Sequence, residues 1–400
     1  MAEKRYDSKH RVLNKGESQR SDGRYVYRTV VNGKTINCYA QSLPELREKE
    51  KEINKKIEVG IDLSKQDMTV NDFADLYLEM KSQTVQPTTL STMHFYYDHY
   101  CRESIGGMKI ATVKKSQVKN HYLSLLKRGL SFATLERLDC ILAPIFETAV
   151  DDDVIFKNPV RKVCTEIKHE THATRREVDV PTPEQMKNLV AFIRDNPIFT
   201  ETMKRVVIVL YGTGMRIGEL TALTWDNVDF KNNKIHVVRS IGYIKENGHA
   251  KQIMKNPKTE AGCRYIPMIA AVRSALLAEK ERQFAEGIPQ PVLEGVTGFC
   301  FLSRRNTVFV REAVNVQIKR MQDTYNLTVK DDEKIVRFTT HAIRHAFATA
   351  LCQSVSDLKA IQEIMGHKSI ETTLGIYAKA TEEAKEISMD AFEERTGFKL

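Results

Sequence analysis

The chain has 400 residues, 42% hydrophobic and 28% charged, ordinary values for a globular protein and enough length for two or three domains. Its 61 Lys and Arg against 52 Asp and Glu leave a formal charge of +9, which favours a polyanionic partner, either nucleic acid or an acidic membrane surface. A membrane span is excluded, because the longest apolar stretch, Val206 to Tyr211, falls far short of the ~20 residues required. Seven scattered cysteines without a Cys-x-x-Cys pair exclude a disulfide framework and a zinc ribbon.

Residues 1–34 carry nine Lys or Arg against four Asp or Glu, a local excess of five positive charges. The alternating run Arg24 to Val31, Asn32-Gly33, and the run Lys34 to Ala40 predict a tight β-hairpin. Leu43 to Ile57 is rich in Glu and Lys and predicts a helix against it. Arg24, Tyr25, Tyr27, Arg28 and Lys34 alternate basic and aromatic character on this hairpin and are its candidate nucleic-acid contacts.

Four helices are expected next. Thr69 caps the first, with Val70, Phe73, Tyr77 and Met80 at helical spacing. The second runs from Pro87 to about Tyr100, and its aromatic cluster from Phe95 to Tyr100 is expected in the bundle core. The third follows Ser116, with Val118, Tyr122 and Leu125 on one face. The fourth follows Ser131, with a stripe of Leu135, Leu138, Leu142 and Ile145 and a kink expected at Pro144. Cys164 to Val180 shows no periodicity and reads as a linker. Thr182-Pro-Glu-Gln185 is a capping box that opens another domain. That domain should be helical to about Asn227 and again from His341 to Tyr377, with strands at Lys234 to Arg239, around Ile253 and at Arg264 to Met268. The expected architecture is therefore multidomain and mainly α: a small β-sheet with one helix (1–66), a helical bundle (67–163), a linker (164–180), a mixed α domain with a small antiparallel sheet (181–385) and a tail (386–400).

Val206 to Tyr211 followed by Gly212-Thr-Gly214 imitates a strand entering a dinucleotide loop. However, the glycines at 212, 214 and 218 miss the required spacing, and no βαβ alternation follows. A phosphate-binding P-loop is absent as well. The informative pattern is a set of four short motifs: Gly212-Thr-Gly-Met-Arg216-Ile-Gly-Glu219-Leu; Pro257-Lys258-Thr259 followed by Arg264-Tyr-Ile-Pro267; His341-Ala-Ile-Arg344-His345; and Gly366-His367 with Tyr377 ten residues later. Two arginines offer planar forks for phosphate oxygens, a lysine a point charge for a leaving oxygen, two histidines proton transfer near neutral pH, and a tyrosine a phenolic nucleophile. With no carboxylate cluster for two-metal hydrolysis, this inventory suits metal-free transfer of a phosphodiester onto a tyrosine.

In order and spacing these motifs resemble the tyrosine recombinase (phage integrase) family, and the three-part organisation is similar to integrases of conjugative transposons. The resemblance implies a site-specific recombinase that cuts and rejoins DNA through a 3′-phosphotyrosine intermediate and a Holliday junction, without cofactor, metal or ATP. It implies that Arg216 and Arg344 clamp the scissile phosphate, Lys258 protonates the leaving 5′ oxygen, and His341 shares proton transfer with the nucleophile. It further implies that His367 hydrogen-bonds the phosphate, that Glu219 is a supporting acid and that Tyr377 is the nucleophile; His345 reads as structural. The implied partners are double-stranded DNA at element ends and target, three further copies of the chain, and an excisionase or DNA-bending protein. No membrane partner is expected, and the expected location is the bacterial cytoplasm, associated with the nucleoid. A catalytically silent DNA-binding regulator and a type IB topoisomerase are the rival readings.

Overall fold

A computed structural model describes residues 5–31, 33–58, 60–65, 67–171, 180–246, 249–256, 262–354, 357–371 and 373–375, without the side chains of Lys34, Ser64 and Lys245. The chain folds as two compact units, Met1–Arg176 and Glu177–Leu400.

The first unit begins with two short paired strands, β1 (Arg5–Tyr6) and β2 (Val12–Leu13). A three-stranded antiparallel sheet follows, built from β3 (Glu17–Gln19), β4 (Tyr25–Val31) and β5 (Lys34–Ala40) in the order β3-β4-β5. The hairpin register pairs Val31 with Lys34, as the Asn-Gly turn predicts, and Gly33 takes a positive φ of 77°. Helix α1 (Leu43–Glu58) covers one face and buries Leu43 and Leu46 with Tyr25, Tyr27 and Ala40 in a small core. Arg47 pins this helix to β3 through the buried Glu17, with an N–O distance of 2.9 Å.

A second, larger core belongs to the helices α2 (Val70–Ser82), α3 (Pro87–Tyr100), α4 (Lys115–Lys127), α5 (Phe132–Asp151) and α6 (Val163–Thr171). Their starts follow local chemistry. Thr69 and Asp72 form a capping box, Pro87 occupies the first turn of α3, and the Ser131 hydroxyl accepts from the Thr134 amide at 3.2 Å. Two expectations need correction. Residues 164–171 belong to α6 and not to a linker: Val163, Cys164 and Ile167 are buried, while Lys115–Glu166 and Lys119–Glu170 ion pairs dress the outer side. Nine residues with three apolar positions are too few for periodicity to show before the packing partner is known. The aromatic cluster of α3 is also not all core. Tyr97 is fully buried, but Phe95 is 47% exposed and stacks in parallel on His99.

The second unit opens with α7 (Pro183–Asp195), whose Thr182 cap accepts from the Gln185 amide, and continues through α8 (Glu201–Thr213) and the short α9 (Ile217–Thr221). Val206 to Tyr211, the imitation of a strand, lies inside α8 and packs in the main core. Strands β6 (Val228–Asp229), β7 (Lys234–Val237) and β10 (Arg264–Pro267) form an antiparallel sheet in the order β10-β7-β6, and β8 (Ser240–Glu246) pairs with β9 (His249–Lys255) as a hairpin. Helices α10 (Ala270–Ala285), α11 (Arg311–Asn326), α12 (Thr340–Ser354) and α13 (Leu358–Met365) complete it. Lys258, Tyr377 and the tail 386–400 lie outside the described residues. Among the described residues no helix is long and apolar enough to cross a membrane, and no group of three or more His, Cys, Asp or Glu could hold a metal.

Candidate active site

The glycines of the first motif place its arginine. Gly214 ends α8 in the left-handed region, at φ 61°, and a Cβ there would lie 2.2 Å from the Phe347 ring. The chain therefore turns at once into α9 with Arg216 as its N-cap. A Cβ on Gly218 would meet the Ile241 carbonyl at 2.7 Å, so α9 can approach β8 closely only with glycine there. Glu219, one turn into α9, accepts from the Arg216 amide at 2.9 Å and from its guanidinium at 2.8 Å. Burial raises the Glu219 pKa, but hydrogen bonds and charge from Arg264, then the charge of Arg216, outweigh burial and hold it at about 2. The carboxylate is ionised at every physiological pH.

Arg344 projects from α12 and is only 4% exposed. It donates to the Gly214 carbonyl at 2.7 Å and to the Met365 carbonyl. Burial, then the neighbouring charge of Arg216, lowers its pKa to about 9, so it remains a cation at neutral pH. Arg216 donates to the Gly366 carbonyl at 3.3 Å and keeps 44% of its side chain exposed. Two guanidiniums thus converge with one half-free fork pointing outward. An isolated pair of like charges would repel, and Glu219 together with the carbonyls ending α13 offsets that cost.

His341 lies one turn before His345 on α12, with the two Nε2 atoms 3.1 Å apart. Burial, then the charges of Arg344 and Arg216, moves His341 below the ordinary imidazole value. His367 follows the left-handed Gly366 that caps α13, and its Nδ1 is 3.0 Å from the Thr373 hydroxyl. Burial, then Arg344 and Arg216, lowers its pKa to about 4. Both rings are therefore neutral near pH 7, able to accept a proton or donate one hydrogen bond each.

Arg216, His341 and Arg344 line one cleft of about 430 Å³. Arg311 and Asn315, which stand in none of the four motifs, also line it. Asn315 accepts from the Thr340 amide at 3.1 Å, and Arg311 is held by Glu312 and lies over the Tyr243 ring. Their distance along the chain from every motif left no signal. Arg264 was visible within a motif but had no role; its alternation with Ile266 in β10 was the clue that it points inward.

The basic hairpin needs a correction. Tyr25 and Tyr27 are 3% and 7% exposed and face α1. The Tyr25 hydroxyl donates to Asp7 at 2.9 Å and accepts from Arg11 at 2.7 Å, while Tyr27 donates to Asn54 at 3.3 Å. The period of two that alternates Arg with Tyr sends the tyrosines into the core, so they cannot stack on bases. Arg24 and Arg28 are exposed, Arg24 beside Asp22 at 2.8 Å and Arg28 donating to Asn37 at 3.1 Å; the Lys34 side chain lies outside the described residues. The aromatic ring on the outward face is Tyr39, 44% exposed, with Arg20 over it.

Comparison with known proteins bears on this arrangement. The profile described as the phage integrase family matches residues 180–384, which include every residue of the cleft. The chain belongs to the phage integrase family. The DNA-binding domain of the Tn916 integrase matches residues 1–57, and the N-terminal SAM-like domain of phage integrases matches 69–126. The chain is 29% identical over 401 residues to the transposase from transposon Tn916 of Enterococcus faecalis, covering 95% of each protein. The transposase from transposon Tn1545 of Streptococcus pneumoniae gives the same identity and coverage. Among solved structures, the Tn1549 transposon integrase in complex with a circular intermediate DNA aligns with a TM-score of 0.71 and 27% identity, over 81% of this chain and 99% of that one. This tyrosine recombinase is mainly helical with small antiparallel sheets.

Proposed function

We propose that this chain integrates and excises a mobile element of the conjugative-transposon type. Tyr377 attacks the scissile phosphorus, its phenolic oxygen forming the phosphotyrosine bond while the 5′ oxygen leaves with a proton from Lys258. His341 takes the phenol proton. Arg216 and Arg344 neutralise the extra charge on the phosphoryl oxygens, and His367 hydrogen-bonds one of them. The observation that carries this reading is the convergence of Arg216, Arg344 and a neutral His341 on one cleft. A phenol of pKa near 10 is about one-thousandth ionised at pH 7, a deficit of about 4 kcal/mol that two adjacent guanidiniums and a base can supply. Because the phosphotyrosine linkage conserves the energy of the cleaved bond, rejoining needs no ATP, and the two guanidiniums take the place of a metal. Two duplexes and four cleavages call for four protomers, and the DNA complex of the Tn1549 transposon integrase supports the reading of DNA, here double-stranded, as the substrate class. A DNA-bending or excisionase partner would set the direction of the reaction in the bacterial cytoplasm.

The test is a nicked duplex carrying the element's end, incubated in EDTA without ATP. The expected result is a covalent protein–DNA adduct on a denaturing gel, absent for Tyr377→Phe, which still binds DNA. An adduct that persists in Tyr377→Phe overturns the assignment of the nucleophile. DNA binding with no adduct in the wild type favours a silent regulator.

A further inference from the structure

Arg264 is buried at 6% exposure, and each of its three guanidinium nitrogens donates inside the protein. Its two terminal nitrogens reach the two oxygens of Glu219 at 3.2 and 2.8 Å, and its Nε donates to the Ile364 carbonyl at 2.7 Å. The Glu219 carboxylate therefore receives four donors, two from Arg264 and two from Arg216. The end of α13 is held in a matching way. The consecutive carbonyls of Ile364, Met365 and Gly366 accept from Arg264, Arg344 and Arg216, one arginine each. The next residue is His367.

We infer that Arg264 is a positioning residue for strand cleavage: it fixes Glu219, and through it the half-exposed fork of Arg216, while tethering the helix end that presents His367. This rests on the proposed cleavage chemistry. Arg264 is buried and each of its nitrogens already donates to a protein acceptor, so it acts through its neighbours. A fork is required because lysine cannot bridge both carboxylate oxygens and reach a carbonyl as well.

The inference has a pH signature that a purely structural arginine would not produce. The charged groups facing Glu219 are Arg216 from its own turn, Arg264 from β10 and Arg344 from α12. In the wild type they keep the carboxylate ionised, with a pKa of about 2. Without Arg264 the main lowering influence disappears while burial, which raises the pKa, stays. Glu219 then takes up a proton in mild acid and releases the Arg216 fork.

Adduct formation on the nicked duplex is measured from pH 5 to pH 8 for the wild type, Arg264→Gln, Arg264→Lys and the double variant Arg264→Gln/Glu219→Gln. Arg264→Gln is expected to cleave roughly 10–100-fold more slowly at pH 8, a loss of the size met when the hydrogen-bond partner that orients a metal-ligating side chain is removed, and to lose further rate towards pH 5 relative to the wild type. The double variant removes that acid loss, because no carboxylate remains to titrate. Arg264→Lys keeps the charge, so its profile runs parallel to the wild type at a reduced rate. This variant carries the test if Arg264→Gln fails to fold. Wild-type rates in Arg264→Gln or Arg264→Lys, or an acid loss that survives Glu219→Gln, overturn the inference. Absence of the adduct in the wild type overturns the functional reading instead.

Discussion

Two arginine–carboxylate pairs contrast the ends of the chain. Arg24 and Asp22, beside the N-terminal sheet, keep 49% and 40% of their side chains exposed, whereas Arg264 and Glu219 keep 5% and 7%. Both pairs approach to 2.8 Å, yet their physical weight differs. An exposed pair is screened by water and salt and contributes little, so Arg24 can exchange its carboxylate for a DNA phosphate at almost no cost. A buried pair cannot exchange. Removing one partner strands the other in a poorly solvated place, so the pair resists separation. Charge in the sheet is therefore available for binding, and charge behind the cleft is committed to orientation.

The sharpest way to break this contrast is Arg344→Ala. It should slow adduct formation by about 10²–10³-fold, as expected for a preorganised donor at developing charge, while equilibrium DNA binding changes only a few-fold. Equal loss in both measurements would make Arg344 an ordinary binding contact. A smaller effect concerns stability. His367 has a folded-state pKa of about 4, below the ordinary value of 6.5. The unfolded state then binds more protons between these values, so stability is full above about pH 6.5 and falls as the pH drops towards 4. Denaturant melts of the wild type should show that decline, and His367→Gln should flatten it. An unchanged slope would remove His367 as its source. The smallest effect separates the two faces of the sheet. Arg28→Ala should weaken DNA binding a few-fold and lower its salt slope by about 1. Tyr25→Phe should leave affinity alone and cost about 1 kcal/mol of stability, because it loses the hydroxyl's bonds to Asp7 and Arg11. A Tyr25→Phe variant that folds as well as the wild type but binds DNA more weakly would overturn the burial argument.

The legibility of this chain differs by element. The starts of α2, α3, α5 and α7 could be read because Thr69, Pro87, Ser131 and Thr182 are local capping signals that need no tertiary partner. Helix α6 could not, since its apolar positions make sense only against α4 and α5. The hairpin was legible in its register but not in its facing. Alternation shows that Tyr25 and Tyr27 share a side, yet only the position of α1 decides that this side is the core. Within the cleft, Arg216, His341 and Arg344 stood in recognisable motifs, while Arg311 and Asn315 arrive from a helix with no motif at all.

The sequence by itself determined the local conformations, through caps and turn glycines, and the chemical inventory of the motifs, because both depend on residue type and short spacing. Tertiary structure alone decided which charges are buried. Glu219 and Arg264 are 45 residues apart, and Arg264 and the Ile364 carbonyl 100. Only folding brings β10 and the end of α13 against α9, and the burial that follows turns Arg264 from a strand charge into the clamp behind Arg216.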